Sequence, residues 1–146
     1  VDRVFLQLAE MSDCALLVNF GGDLRARGPC RNGSAWQVGI ETPASLMPTA
    51  KNISSATQAI QTISLITGAL ATSGDARRFL LKNGVRYSHI LNPKTGWPIQ
   101  NGPRSATILA KDCVLAGMLA TLTFLAGKEA ETFLNGQEDI KAWLVW

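Results

Sequence analysis

Two short segments near the middle of the chain carry the side chains best suited to chemistry. Residues 72–75 read TSGD, so that two hydroxyls and a carboxylate surround a glycine. Residues 87–96 read YSHILNPKTG and contain His89, the single histidine of the chain. Because 47% of the chain is apolar, this density of hydroxyl, carboxylate, imidazole and lysine groups indicates a binding or catalytic site.

The TSGD segment has two interpretations. Hydroxyl and carboxylate side chains around a glycine are typical of a tight turn that satisfies its own backbone. The same groups are suited to forming one wall of a ligand site. A serine nucleophile is not indicated, because the segment lacks the second glycine of a nucleophile elbow.

His89 likewise has two interpretations: a hydrogen-bonded residue at the end of a strand, or a functional one. The turn that follows it, residues 92–96 (NPKTG), favours function. Pro93 restricts the backbone there, and the turn can present backbone N–H groups, a hydroxyl and the Lys94 ammonium to an anion.

A third candidate lies in the apolar segment that begins at Cys113, which is predicted to be a helix. Thr121 lies on one face of that helix, and Gly117 lies one turn before it on the same face. A glycine inside a helix costs about 1 kcal/mol relative to alanine, which close packing against a neighbour would explain. The threonine hydroxyl would ordinarily bond to the preceding turn.

The elements that must position these groups follow from periodicity, caps and turn residues. The sequence predicts helices over 2–11, 113–126 and 128–134, and strands over 15–20, 24–27, 36–41, 60–66 and 140–146. Asn83-Gly84 predicts the turn of a hairpin over 77–91, and Gly21-Gly22-Asp23 predicts a positive-φ turn. Asp112 is the expected cap of the second helix, and residues 43–55 are expected to form a long loop.

Composition limits the class of protein. A chain of 146 residues with 13 glycines and 6 prolines predicts one α+β domain or a large piece of one. Only 17% of residues are charged, so disorder is not expected. The net charge is +3, and the basic residues are scattered, which argues against nucleic-acid binding.

Neither a signal peptide nor an apolar run of about 20 residues, the length of a membrane span, is found. The three cysteines have no metal-ligand spacing and are interpreted as small buried apolar residues. A disulfide between Cys14 and Cys30 stays open as the alternative.

Five segments, in this order along the chain, resemble the ApbE family of FAD:protein FMN transferases. They are residues 1–3 (VDR), 17–28 (LVNFGGDLRARG), 69–75 (ALATSGD), 87–98 (YSHILNPKTGWP) and 115–121 (LAGMLAT). The family reads roughly YHHIIDPRTGxP at the fourth and LADALAT at the fifth. The resemblance implies an α+β fold, a mixed sheet with flanking helices, and residues 1–146 as one region that matches the C-terminal part of the family pattern.

The resemblance also implies a reaction. Family members bind FAD with Mg²⁺, cleave its pyrophosphate, and attach FMN to a threonine or serine of a target flavoprotein. Carried over by position, FAD binding falls to His89, Ile90, Leu91, Thr95 and Gly96, with Lys94 in the same turn. His89 would either take part in catalysis or hold the cofactor, and Thr121 would be a ligand of the metal.

Two departures from the family pattern matter. Gly117 stands where the family has the aspartate of the metal site, and Asn92 stands where an aspartate is common. A hydroxyl alone is a poor Mg²⁺ ligand, so metal affinity is expected to fall, unless Asp75 or Asp112 substitutes. The family's upstream half, which would supply further flavin and metal contacts, has no counterpart in this sequence.

Three functions therefore stay open: an FMN transferase, a flavin-binding or maturation protein without transferase activity, and an interaction domain that uses the scaffold without flavin. FAD and an acceptor flavoprotein are the expected partners. Self-association or association with an N-terminal half is also expected, because an isolated part would expose apolar surface. The family resemblance implies a bacterial periplasmic or inner-membrane-associated location.

Overall fold

A computed structural model describes residues 1–41, 59–75 and 78–146. Within these residues the helices are α1 (Asp2–Met11), α2 (Cys113–Leu125) and α3 (Ala130–Asn135), with a 3₁₀ turn over Gly127–Glu129. The strands are β1 (Leu16–Phe20), β2 (Asp23–Arg27), β3 (Trp36–Glu41), β4 (Ala59–Leu65), β5 (Gly68–Gly74), β6 (Phe79–Lys82), β7 (Val85–Ser88), β8 (Ser105–Ala110) and β9 (Lys141–Val145). The predicted loop over 43–55 lies outside the described residues.

A five-stranded sheet, in the order β1-β2-β5-β8-β9, forms the centre of the fold. The β3–β4 hairpin packs on one face, and α2 and α3 pack on the other. The α+β class with a sheet and flanking helices is confirmed. The expected mixing of strand directions is absent: the four strand pairings of this sheet that the structure describes are all antiparallel.

Alternation along the two central strands builds a core on each face of the sheet. Leu70 of β5 packs toward the β3–β4 hairpin, together with Leu24, Ile40, Ile63 and Leu65. The next residue, Ala71, packs against α2 with Ile108 and Ala116. Small residues on the helix side allow α2 to lie close to the sheet.

Two carboxylates cap the N-terminus of α2. The Asp112 side chain accepts a hydrogen bond from the backbone N–H of Leu115 at 2.8 Å, as predicted. Asp2, at the start of α1, accepts from the backbone N–H of Cys113 at 3.1 Å and of Val114 at 2.9 Å. The Arg25 guanidinium donates to Asp2 at 2.7 Å, so one carboxylate joins α1, β2 and α2.

The short turns agree with the sequence. Asn83 and Gly84 have φ of 51° and 75°, the combination that a two-residue hairpin turn requires. Gly21 and Gly22 also have positive φ and join β1 to β2. The hairpin is therefore confirmed over β6 and β7.

Two features differ from the sequence-based prediction. TSGD is not a tight turn: Thr72, Ser73 and Gly74 belong to β5, because each pairs with a residue of β8. Strand β8 itself, residues 105–110 (SATILA), was not predicted. An apolar run between Pro103 and Lys111 was the signal for it, since turn residues on both sides of such a run indicate a buried strand.

The cysteines are all free thiols, so the open alternative of a disulfide is wrong. Cys14 is exposed, and Cys30 and Cys113 are only half-buried, which corrects the interpretation of the three as buried residues. Cys113 donates to the carbonyl of Leu24 at 3.3 Å. Burial, followed by the charges of Asp2 and Asp23, raises the pKa of the Cys113 thiol to about 11.

In the described part of the chain no helix combines the length and apolar character needed to cross a membrane.

We expect Asp2→Asn to lower the free energy of unfolding by about 1–2 kcal/mol at pH 7, because an NH₂ group replaces one of the two carboxylate oxygens that together accept from three donors. Burial favours a higher pKa for Asp2, but the amides of Cys113 and Val114 and the Arg25 guanidinium outweigh it and lower the pKa. This stabilisation is therefore complete above about pH 4 and is lost as the pH falls through the folded-state pKa.

Urea unfolding of the wild type and Asp2→Asn between pH 3 and pH 8 measures the difference. Glu10→Gln, which removes an exposed carboxylate of the same helix, is the matched control and should change stability little at any pH. An Asp2→Asn difference that stays constant down to pH 3 would contradict the assigned role.

Candidate functional site

A cleft of about 790 Å³ lies between the central sheet and the β3–β4 hairpin. Its described lining comes from β1, the Gly21-Gly22 turn, β3, the C-terminal end of β5, the start of β8, and the segment after β7. His89 and Ile90 belong to this lining, as do Thr72 and Ser73. The structure thus brings three of the five resembling segments to one cavity.

Strand alternation divides the hydroxyls of TSGD between the two faces of β5. Thr72 shares its face with its β8 partner Thr107, and their Oγ1 atoms lie 2.8 Å apart. Ser73 points toward α2, where its Oγ lies 2.8 Å from Oγ1 of Thr121. Thr121 contacts Ser73, which lines the cleft, but Thr121 itself is not part of the described lining.

Gly74 is required by the close approach of the neighbouring backbone. A Cβ at this position would lie 2.3 Å from the carbonyl oxygen of Arg104 and 2.7 Å from Cα of Ser105. Only glycine fits without moving β8. The glycine of TSGD thus serves strand packing at the edge of the cleft rather than a turn.

The hydrogen bond of His89 determines which of its ring nitrogens can accept a proton. Nδ1 lies 3.0 Å from the carbonyl oxygen of Arg78. A carbonyl can only accept, so in the neutral ring we assign the proton to Nδ1, and Nε2 carries the free electron pair. His89 is exposed, so Nε2 can either accept a proton from a reacting hydroxyl or bind a donor of a ligand.

The backbone amides of Lys94, Thr95 and Gly96 form hydrogen bonds within the turn over 92–96. Oδ1 of Asn92 accepts from the Lys94 N–H at 2.8 Å, and the Asn92 carbonyl accepts from Gly96 at 2.8 Å and Thr95 at 3.2 Å. An anion here would therefore be held by side chains such as Lys94, rather than by the amides that the sequence suggested. Thr95 and Gly96 do not line the cleft.

Leu91 also lies outside the described lining of the cleft. It forms an isolated bridge with Pro98, which closes the base of the turn. Its side chain is 52% exposed. Of the five residues assigned to FAD by resemblance, the cleft itself thus gathers His89 and Ile90.

Asp75 forms a buried ion cluster that holds the β6–β7 hairpin, and with it His89, against the sheet. Its Oδ2 accepts from Nε of Arg86 at 3.1 Å and from Nη1 of Arg104 at 3.4 Å. Arg86 also donates to the Asp75 carbonyl and stacks on Phe79. Arg86 is three residues before His89, so this cluster sets where the β7 end lies.

The described residues do not fit a Mg²⁺ site. No group of three or more acidic, histidine or cysteine side chains suited to a metal occurs among them. Oδ2 of Asp75 is engaged by two arginines, while its buried Oδ1 has no hydrogen-bond partner among the described residues. Asp112 caps α2 about 13 Å along the helix from Thr121. Position 117, where the resemblance implies a carboxylate, carries no side chain, and within 4 Å an added Cβ would meet only Cβ of Ala71, at 3.9 Å.

Sequence reasoning missed several lining residues. Arg78 and Ser105 border the cleft, as do Gln37 to Glu41 of β3. Nothing in the sequence of β3 marks it as part of a site. Its residues line the cleft because the β3–β4 hairpin packs over the sheet. For Ser105, the unpredicted strand β8 hid the pairing with Gly74.

Comparison with known proteins gives a consistent result. The sequence pattern of the ApbE family matches residues 1–144. An FAD:protein FMN transferase of Vibrio cholerae is 39% identical over 113 residues, which cover 77% of this chain and 31% of that protein. One of Haemophilus influenzae is 32% identical over 145 residues, covering 99% of this chain and 40% of that protein.

The fold agrees with that of a solved relative. The crystal structure of the ApbE protein of Thermotoga maritima matches with a TM-score of 0.80 at 32% identity, over 98% of this chain and 44% of that one. The chain therefore spans less than half the length of these relatives.

We expect Asp75→Asn to lower the free energy of unfolding by about 3 kcal/mol, because the buried guanidinium of Arg86 and the partly exposed one of Arg104 lose their counter-charge. Chemical denaturation measures the loss. Glu129→Gln is the matched control, since it breaks the exposed Lys128–Glu129 pair, whose atoms lie 3.9 Å apart. Equal losses in the two variants would contradict the anchoring role of Asp75.

We expect Gly117→Asp to raise Mg²⁺ affinity at least tenfold, because it places a carboxylate one helical turn from the Thr121 hydroxyl. Gly117→Asn is the control, since it has the same shape and helix effect without the charge. Titration calorimetry with MgCl₂ compares them. Equal affinity for the two variants would show that position 117 does not face a metal site.

Proposed function

Since the chain belongs to the ApbE family, we propose that it forms the C-terminal part of an FAD:protein FMN transferase. The observation that carries the proposal is the cleft, where His89 and Ile90 meet the TSGD strand and the Gly21-Gly22 turn. These segments are far apart in sequence, and each was singled out by its resemblance to the family. The transferase relatives at 39% and 32% identity support the same activity.

The proposed reaction transfers FMN from FAD to a hydroxyl. A threonine or serine oxygen of the acceptor flavoprotein forms a bond with the phosphorus of the FMN moiety. The bond from that phosphorus to the AMP oxygen breaks, and the hydroxyl proton must leave. Nε2 of His89 is suited to accept that proton, and it is equally suited to bind the flavin nucleotide.

The proposal for magnesium concerns Thr121 and position 117. Thr121 offers a hydroxyl that is already bonded to Ser73, and position 117 offers no side chain. We therefore propose that residues 1–146 alone bind Mg²⁺ weakly, and that other ligand oxygens come from outside them. Gly117 is also the observation that favours the second candidate, a flavin-binding or maturation protein without transferase activity.

Association with a further polypeptide is part of the proposal. On α2, Val114, Met118 and Leu122 are 73%, 50% and 41% exposed. Their spacing of four residues makes one apolar stripe along the helix. We propose that an N-terminal half of the family architecture, or a second copy of the chain, covers it. Location in the periplasm or at the inner membrane is a further proposal, which rests on the family alone.

Covalent transfer is measured by incubating the chain with FAD, Mg²⁺ and a candidate acceptor, with and without the N-terminal half of a relative. Flavin fluorescence that stays with the acceptor after denaturing electrophoresis is the expected result. FAD binding without transfer would support the second candidate. Absence of FAD binding even with the added half would contradict both.

The role of His89 is separated by His89→Ala. If Nε2 accepts the proton, transfer should slow by about 100-fold or more while the dissociation constant for FAD stays nearly unchanged. If His89 holds the cofactor, the dissociation constant should rise instead. Lys82→Ala, at an exposed position of the β6–β7 hairpin that does not line the cleft, is the control and should leave rate and binding unchanged. Unchanged rate and binding in His89→Ala would exclude both roles.

A further inference from the structure

Ser105 is a buried hydroxyl that faces the cleft without a partner. It is the first residue of β8, directly opposite Gly74 of β5, and only 3% of it is exposed. Its Oγ makes no hydrogen bond within the described part of the chain, yet the residue lines the cleft. A buried hydroxyl without a partner is destabilising, so its presence at a cavity wall points to a ligand.

The neighbouring hydroxyls, unlike that of Ser105, have hydrogen-bond partners or lie away from the cleft. Thr72 and Ser73 also line the cleft, but they bond to Thr107 and Thr121. Thr123 is the other buried hydroxyl without a partner among the described residues, and it does not line the cleft. Among the described serines and threonines, Ser105 is thus the one that both lines the cleft and lacks a partner.

The backbone makes room for this hydroxyl. Strand alternation places Ser105 on the same face of β8 as Thr107 and Leu109, which is the face turned toward the β3–β4 hairpin. Opposite it, a Cβ on Gly74 would approach Cβ of Ser105 to 3.0 Å. Because Gly74 has no side chain, the residue directly opposite Ser105 on β5 does not cover its hydroxyl.

We propose that Ser105 is a ligand-binding residue whose hydroxyl donates a hydrogen bond to an oxygen of the flavin nucleotide. Arg78 and His89 border the same cleft, which favours a phosphate or another electron-rich oxygen. The inference rests on the proposed function, since that function supplies the nucleotide. It adds a contact that the resemblance did not assign.

Ser105→Ala separates a ligand contact from a structural role. Without ligand, the variant should be as stable as the wild type or more stable, because the substitution removes a buried polar group that has no partner. Its dissociation constant for FAD should rise about tenfold. Thr123→Val is the matched control: it also removes an unpartnered buried hydroxyl and should leave FAD binding unchanged.

Thermal unfolding and FAD fluorescence titration, in the preparation used for the transfer assay, supply both readouts. Parallel titration with FMN and with AMP shows which half of FAD contacts Ser105. FAD affinity of Ser105→Ala within twofold of wild type would overturn the inference and leave the proposed function intact. A large loss of stability without ligand would overturn it too, while a wild type that does not bind FAD would overturn both proposals.

Discussion

The pairing of β5 with β8 is the interaction on which the rest of this structure depends. Six residues of each strand are in register, from Ala69 opposite Ala110 to Gly74 opposite Ser105. Both strands are largely buried, because the β3–β4 hairpin covers one face and α2 the other. A one-residue slip of β8 would exchange its two faces and turn Ser105 and Thr107 toward α2.

The candidate site is a consequence of that register. The cleft face receives Thr72 and Ser105, and the helix face receives Ser73, which bonds to Thr121. At the end of the pair, the Asp75 backbone N–H donates to the Arg104 carbonyl at 3.0 Å, and the Asp75 carboxylate binds Arg86. Because Arg86 belongs to β7, this ion cluster holds the β6–β7 hairpin against the sheet. His89, which follows β7, is thereby placed at the cleft.

Much of the architecture could be predicted from local pattern. Helix α1, strand β3, the Asn83-Gly84 hairpin and the Asp112 cap agree with the sequence, because their signals lie within a few residues. Strand β8 and the strand conformation of TSGD could not be predicted in the same way. Their partners lie 31 (Gly74 and Ser105) to 41 (Ala69 and Ala110) residues away in the sequence, and a tight turn and a strand end share the same residue types.

The sequence by itself determined the family, the α+β class and the segments that are candidates for a site, since these depend on residue identity and order. It also determined that position 117 is a glycine and has no side chain to offer a ligand, which no folding changes. Only the tertiary structure decided which candidates meet. It joined His89 and Ile90 to the cleft, engaged the amides of the turn over 92–96 internally, and left Ser105 without a partner at the cavity wall. Those outcomes depend on which face of a strand each side chain takes, and that is settled by packing between layers.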